Sequence, residues 1–232
     1  MNVLLFGASG MLGGGVLREC LLTPDVERVV SIGRSALPNS DAKLVQRVRP
    51  NFAVDASEIS DDDLRNVDAC FFCLGVSASG MSEEKYTALT FGLTMAAAER
   101  LARLSPQATF VYVSGAGADS SEQGSSMWAR VRGKTENALL RLSFKRVHVL
   151  RPAIIQPLNN AVSKTDSYRI LYKALGPLLT IGRKLFPSRI LSTEVIGQAM
   201  LQIARSGAPV SVLNAAAIYD VSLSNGKSGL QR

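Results

Sequence analysis

Cysteine and histidine are scarce in this chain of 232 residues: three of the first, one of the second. An odd number of cysteines excludes a fully paired disulfide framework. Cys20, Cys70 and Cys73 all stand among apolar neighbours, which fits buried free thiols in a reducing compartment. The Cys70-Phe-Phe-Cys73 spacing has the form of a redox or metal pair. In a strand, however, residues three apart point to opposite faces, so no metal site is expected. His148 lies between apolar neighbours in a strand-like run and reads as core packing rather than catalysis. The chain has no run of about eighteen apolar residues and no basic-then-apolar leader, so a soluble, cytoplasmic protein without a transmembrane segment is expected. Internal repeats are absent too. With 47% hydrophobic residues, the length suits one domain over 1–221, with a disordered tail over 222–232.

Charge is present but uneven. The formal net charge is +7, and residues 145–189 hold nine Lys and Arg against a single Asp. That segment could face an anionic cofactor, a substrate or a surface, or serve solubility alone. It lacks the interleaved aromatic residues of a nucleic-acid site, and no nucleic-acid partner is expected. Its Gly176-Pro177 break and Pro187 argue against one continuous amphipathic helix on a membrane.

What is there begins at the first residue. Asn2–Phe6 is a short apolar run that reads as a strand buried on both faces. Gly7-Ala-Ser-Gly10-Met-Leu-Gly13 follows directly, and Met11–Leu22 reads as a helix. A strand, a glycine turn and a helix start make a cradle for a pyrophosphate, because unpaired N–H groups and the helix dipole both favour an anion there. Gly7 allows the sharp turn, Gly10 admits the phosphates, and Gly13 lets the helix lie close on the strand.

Further strands are expected at 25–32, 44–48, 68–75, 109–113, 147–150 and 210–213. Helices are expected between them at 83–104, 125–142 and from Ser192, with Ser192 as N-cap. The alternation indicates an α/β fold, a Rossmann-type doubly wound parallel sheet. After Pro157 it breaks, and residues 158–191 read as a small C-terminal substrate-side lobe. The second strand ends at Gly33-Arg34-Ser35. Between Glu27 and Asp41 there is no Asp or Glu to bond a ribose 2′-hydroxyl, whereas Arg34 suits a 2′-phosphate. NADP is therefore expected over NAD. Asp55 reads equally as an adenine contact or as a cap for the helix holding Asp61-Asp62-Asp63.

Gly7-x-x-Gly10-x-x-Gly13, Gly33-Arg34, Leu74-Gly75, Ser114 and Arg151-Pro152 together resemble the atypical short-chain dehydrogenase/reductases. In look they are nearest the Tat-interacting oxidoreductase-like and NmrA-like group. The resemblance covers nearly the whole chain and is weakest over 158–190. It implies cofactor contacts from Gly7, Ala8, Ser9, Gly10, Met11, Leu12, Gly13, Arg34, Ser35, Asp55, Leu74, Gly75, Ser114, Arg132, Pro152 and Ile154. It also implies hydride transfer on a small-molecule substrate, with a Tyr and, four residues on, a Lys, and a Ser after the fifth strand.

Here the chain departs from the family. Aligned on Glu136, the Lys position holds Arg132 and the Tyr position Trp128, still one helical turn apart. Indole does not cycle a proton near neutral pH, and arginine stays charged. Ser114, Trp128 and Arg132 are thus degenerate catalytic candidates, and Tyr112, Tyr168 and Tyr172 are conceivable substitute acids. Two readings stay open: an NADP(H)-dependent oxidoreductase or epimerase with another proton donor, or a binder of the cofactor that senses or scaffolds.

Overall fold

Residues 1–38, 40–52, 58–158 and 179–224 are described by the computed structural model. Asp55, Tyr168 and Tyr172 lie outside them, as does most of the expected substrate-side lobe. The strands are β1 (Asn2–Phe6), β2 (Arg28–Gly33), β3 (Leu44–Val48), β4 (Ala69–Phe72), β5 (Thr109–Val113), β6 (Arg146–Arg151), β7 (Ile154–Gln156), β8 (Ile190–Ser192) and β9 (Val212–Asn214). Seven of them form one parallel sheet in the order β3-β2-β1-β4-β5-β6-β9. The remaining pair, β7 and β8, forms a small parallel ribbon beside it. The order reverses between β1 and β4, and a crevice opens at that point beyond the strands' carboxyl ends.

Helices cover both faces: α1 (Met11–Leu22), α2 (Glu83–Thr87), α3 (Leu93–Leu104), α4 (Met127–Leu139), α5 (residues 179–185), α6 (Thr193–Ser206) and α7 (Ala215–Leu223). Alternate residues of each strand feed two separate cores. Val3, Leu5, Phe71 and Val111 pack on one face with Val16 of α1 and Ile196 of α6. Leu4, Phe6, Phe72, Phe110 and Tyr112 pack on the other with Leu101 of α3 and Leu139 of α4. The same alternation separates the cysteines, Cys70 in the second core and Cys73 against the first. All three thiols are free, and burial pushes each of them up, Cys20 to about 12.

Several boundaries differ from the sequence reading. The last strand is Val212–Asn214 rather than 210–213. Ser222 and Leu223, assigned to a disordered tail, close α7, and Ser222 is buried. The acidic stretch is a 3-10 turn, Asp61–Leu64, and Ser60 caps it by accepting from the Asp62 N–H. The helix expected over 83–104 is continuous, but a π-turn at Ala88–Gly92 divides it. Ser192 does cap α6, accepting from the Val195 N–H at 3.2 Å. His148 is buried, with its Nδ1 3.1 Å from the Val210 carbonyl.

Candidate functional site

The glycine turn adopts the geometry its spacing predicts. Gly7 has φ +86°, and a Cβ there would sit 2.8 Å from the Cys73 carbonyl. A Cβ on Gly13 would come within 2.1 Å of the Gly7 oxygen, so only glycine lets α1 press against the turn. Gly10 donates its N–H to that same oxygen at 2.9 Å. It is the N-cap of α1, no side chain caps it, and the first turn carries no acidic residue. The start of α1 therefore keeps its N–H groups and positive dipole end for an anion.

Beside this cradle, a cleft of about 610 Å³ runs along the carboxyl edge of the sheet. Met11 stands at one end. Gly75–Ser79 after β4, Ser114–Ala116 after β5, Pro152–Ala153 after β6, Tyr86 from α2, and Trp128 and Arg132 from α4 form the walls. Six separate segments thus converge on one space. Ser114 is 7% exposed, and its Oγ has no hydrogen-bond partner among the described residues. A buried hydroxyl left unpaired costs about 1–3 kcal/mol, which a bound group offering an acceptor or donor would recover.

Arg132 is held by two hydrogen bonds. Its Nε donates to the Tyr86 hydroxyl at 3.2 Å and its Nη1 to the Val113 carbonyl at 3.3 Å. Its Nη2 would lie 3.3 Å from a Cβ placed on Gly75, so a side chain at 75 would crowd the guanidinium. Burial works against the charge, but Tyr112, Tyr86 and Glu136 outweigh it and hold the guanidinium above its usual range. Trp128 is 37% exposed. Its ring passes over Gly117, where φ is +91° and a Cβ would meet Cη2 at 3.3 Å. The loop carrying Gly117 is fastened by Asp119, whose carboxylate accepts from the Ser121 hydroxyl at 2.6 Å and the Gly124 N–H at 2.7 Å. Those bonds hold the Asp119 carboxyl below the usual range.

One turn beyond Arg132, Glu136 is wholly buried. Arg151 Nε donates to both of its oxygens at 3.1 Å, and Arg151 Nη2 makes a closer contact with Oε2. Arg151 Nη2 also donates to the Ser120 hydroxyl at 2.6 Å. Gly133 faces the Asp119 carbonyl so closely that a Cβ would overlap it. This ion pair and close approach fix the register of α4, and with it Trp128 and Arg132.

A smaller crevice lies at the carboxyl end of β2. Ala8, Ser9, Gly33 and Ser35 line it with Ser31, Leu37, Gln46, Arg47 and Val48. Arg47 is engaged with buried Asp63 at 2.6 Å. Arg34 is exposed at the tip of β2, outside the crevice wall, and has no partner among the described residues. Leu12 and Gly13 are buried beneath the cradle. Leu74 packs against the second core. Ile154 is 48% exposed on β7 and does not line the cleft; Ala153 does. Tyr112 is also absent from the cleft. It packs against Phe72, ring centres 6.1 Å apart, and burial pushes its phenol up to about 12.

The residue the sequence reading missed is Tyr86. It is 46 positions from Arg132, beyond any local spacing rule. Its one sequence signal is its place at the start of the helix that follows the β4 loop, at the sheet's carboxyl edge.

The strand order, the glycine cradle and the edge cleft define a Rossmann-type, doubly wound α/β fold of the kind seen in dinucleotide-binding proteins. Among solved structures, similarity extends to WbmF of Bordetella bronchiseptica in complex with NAD+ (TM-score 0.65, 15% identity, 100% of this chain and 79% of that one). It extends also to MoeE5 in complex with UDP-glucose and NAD (TM-score 0.64, 17% identity, 92% and 75%). No family model matches the chain. In sequence it is similar to the protein fmp52, mitochondrial, of Aspergillus clavatus, 32% identical over 159 residues. That alignment spans 66% of each chain, just under two thirds of the relative's length. FMP52-1, mitochondrial, of Scheffersomyces stipitis is 23% identical over 200 residues, 84% of this chain and 87% of that one. These relatives are named as mitochondrial proteins, and this overturns the cytoplasmic expectation, which rested on the lack of a long apolar run and of a leader pattern. Among the described residues no helix is long and apolar enough to cross a membrane.

Proposed function

We propose that the protein binds NADP(H) along the carboxyl edge of its sheet and acts as an oxidoreductase of the short-chain dehydrogenase/reductase type. The observation that carries this is the Ser114 hydroxyl, buried and unpaired in a cleft that starts at α1 and ends at a fixed guanidinium. The residues fit the cofactor. In this reading the turn Gly7–Gly13 offers the start of α1 to the pyrophosphate, Arg34 and Ser35 would meet the 2′-phosphate, and Arg132 would hold the nicotinamide ribose. NADPH, when bound, supplies hydride chemistry. Ser114 orients a substrate oxygen, and the walls after β4 and β6 exclude water. The similar structures carry NAD in their complexes, so the preference for NADP rests on this chain's own Arg34. The relatives' names support a mitochondrial site of action for this protein as well.

A second reading, binding without turnover, is favoured by Trp128 and Arg132, which the resemblance puts where the family has Tyr and Lys. The test is a fluorescence titration of NADPH and NADH against the native chain and Arg34→Ala. A charge-assisted contact to a phosphate is worth about 1.5–3 kcal/mol, so NADPH should bind about ten- to a hundredfold tighter, and Arg34→Ala should level the two. Equal affinity in the native chain would refute the NADP preference. Absence of binding by both would refute the function.

A further inference from the structure

We infer that Tyr86 is the proton donor of this site, supplying from α2 the phenol that α4 lacks. The inference rests on the NADP(H) reading above and names a residue for it. Of the groups lining the cleft, Trp128 and Arg132 do not give up a proton near neutral pH, and an alcohol such as Ser114 is a far weaker acid than a phenol. Tyr86 is the one phenol among the described wall residues. It is 1% exposed, so its ring is fixed by packing, and its hydroxyl accepts from Arg132 Nε at 3.2 Å. With the oxygen occupied as acceptor by Arg132, the O–H proton is free to donate elsewhere.

Two further features fit a working group rather than a filler. Two residues after Tyr86 the helix widens into the π-turn Ala88–Gly92, where the Leu93 N–H reaches back to the Ala88 carbonyl. Such turns cost hydrogen-bond geometry and cluster at functional sites. Tyr86, Arg132 and Ser114, the last with its unpaired buried hydroxyl, also line the same cleft. As the carbonyl carbon of an aldehyde, ketone or quinone takes the hydride supplied by NADPH, its oxygen takes the Tyr86 proton. The phenolate left behind lies against the Arg132 cation, which stabilises it, and regains a proton from water.

The test needs no turnover. A site that donates hydrogen bonds to a developing oxyanion also binds a stable one, and 4-nitrophenolate reports its binding by a shift of its visible absorption. With saturating NADP+, the native chain should bind 4-nitrophenolate at least about tenfold tighter than nitrobenzene, the same ring without the oxygen. Tyr86→Phe should weaken the phenolate about ten- to a hundredfold and leave NADPH affinity within about threefold. Any native reduction of aldehydes or quinones should fall about 10²–10⁴-fold in kcat in that variant, with KM little changed.

Equal phenolate binding by native protein and Tyr86→Phe, or no preference for phenolate over nitrobenzene in the native chain, would overturn the inference while the NADP(H) reading stands. Loss of NADPH affinity in Tyr86→Phe would also overturn it, since Tyr86 would then be a buttress for Arg132. Failure of the native chain to bind NADPH refutes the underlying reading and takes the inference with it. The nitrobenzene comparison uses native protein alone, so it decides even if the variant folds poorly.

Discussion

Replacing Arg151 with Met should strip a buried carboxylate of its counter-ion and destabilise the whole molecule. Glu136 is 0% exposed, and the charged bonds it accepts come from Arg151 Nε at 3.1 Å and from the closer Nη2. Breaking a buried pair from one side costs about 3–5 kcal/mol, because the remaining charge stays out of water without a partner. For a domain of this size each kcal/mol moves Tm by about 2–4 °C, so Arg151→Met should melt about 6–20 °C lower. Removing both charges, in Glu136→Leu with Arg151→Met, takes away the desolvation cost together with the attraction and should recover most of that loss. Differential scanning calorimetry on native, single and double variants measures all three. The same substitution should weaken NADPH, since the pair fixes the register of α4 and therefore Arg132; the double variant should bind between the two. A single variant melting within about 2 °C of native, or a double variant no more stable than the single, would refute the account of α4.

Other consequences follow from neighbouring geometry. Ser114→Ala removes a buried hydroxyl with no protein partner, so Tm should hold or rise by about 2–4 °C, for roughly 1 kcal/mol, while cofactor-dependent substrate binding drops. Gly10→Val, whose Cβ would meet only the Gly7 oxygen at 3.3 Å, should abolish the thermal shift given by NADPH yet leave a folded protein. Gly13→Val should unfold it, since even a Cβ there would come within 2.1 Å of that oxygen. Burial, the larger influence, holds His148 below its ordinary 6.5, so the unfolded chain takes up the proton first. Its contribution to stability is present above pH 6.5 and lost as pH falls through the depressed native value. A Tm profile from pH 8 to 5 should steepen on the acid side in native protein and less so in His148→Gln.

What the sequence determined by itself is local in origin. Asn2–Phe6, the three glycines and Met11–Leu22 specify strand, turn and helix because backbone sterics act between residues a few positions apart: Gly7 alone takes φ +86°, and Gly13 alone tolerates the turn's oxygen. The parallel sheet was legible for a related reason, since strand and helix periods alternate along the chain. Cys70 and Cys73 could be separated on the page because a strand turns successive side chains to opposite faces. Tertiary structure decided the rest. Which tyrosine meets Arg132 depends on how α2 lies over the sheet edge, and no spacing rule spans 46 residues. Tyr112, attractive in sequence beside Ser114, is turned into the aromatic core by the same alternation that buries Phe110 and Phe72. Glu136 and Arg151, 15 positions apart on a helix and a strand, become partners only once α4 docks on β6. An unpaired hydroxyl at Ser114 is likewise a property of its enclosure. Side chains brought together from segments distant in sequence owe their meeting to packing of the two cores, and that packing is a sum over the whole chain.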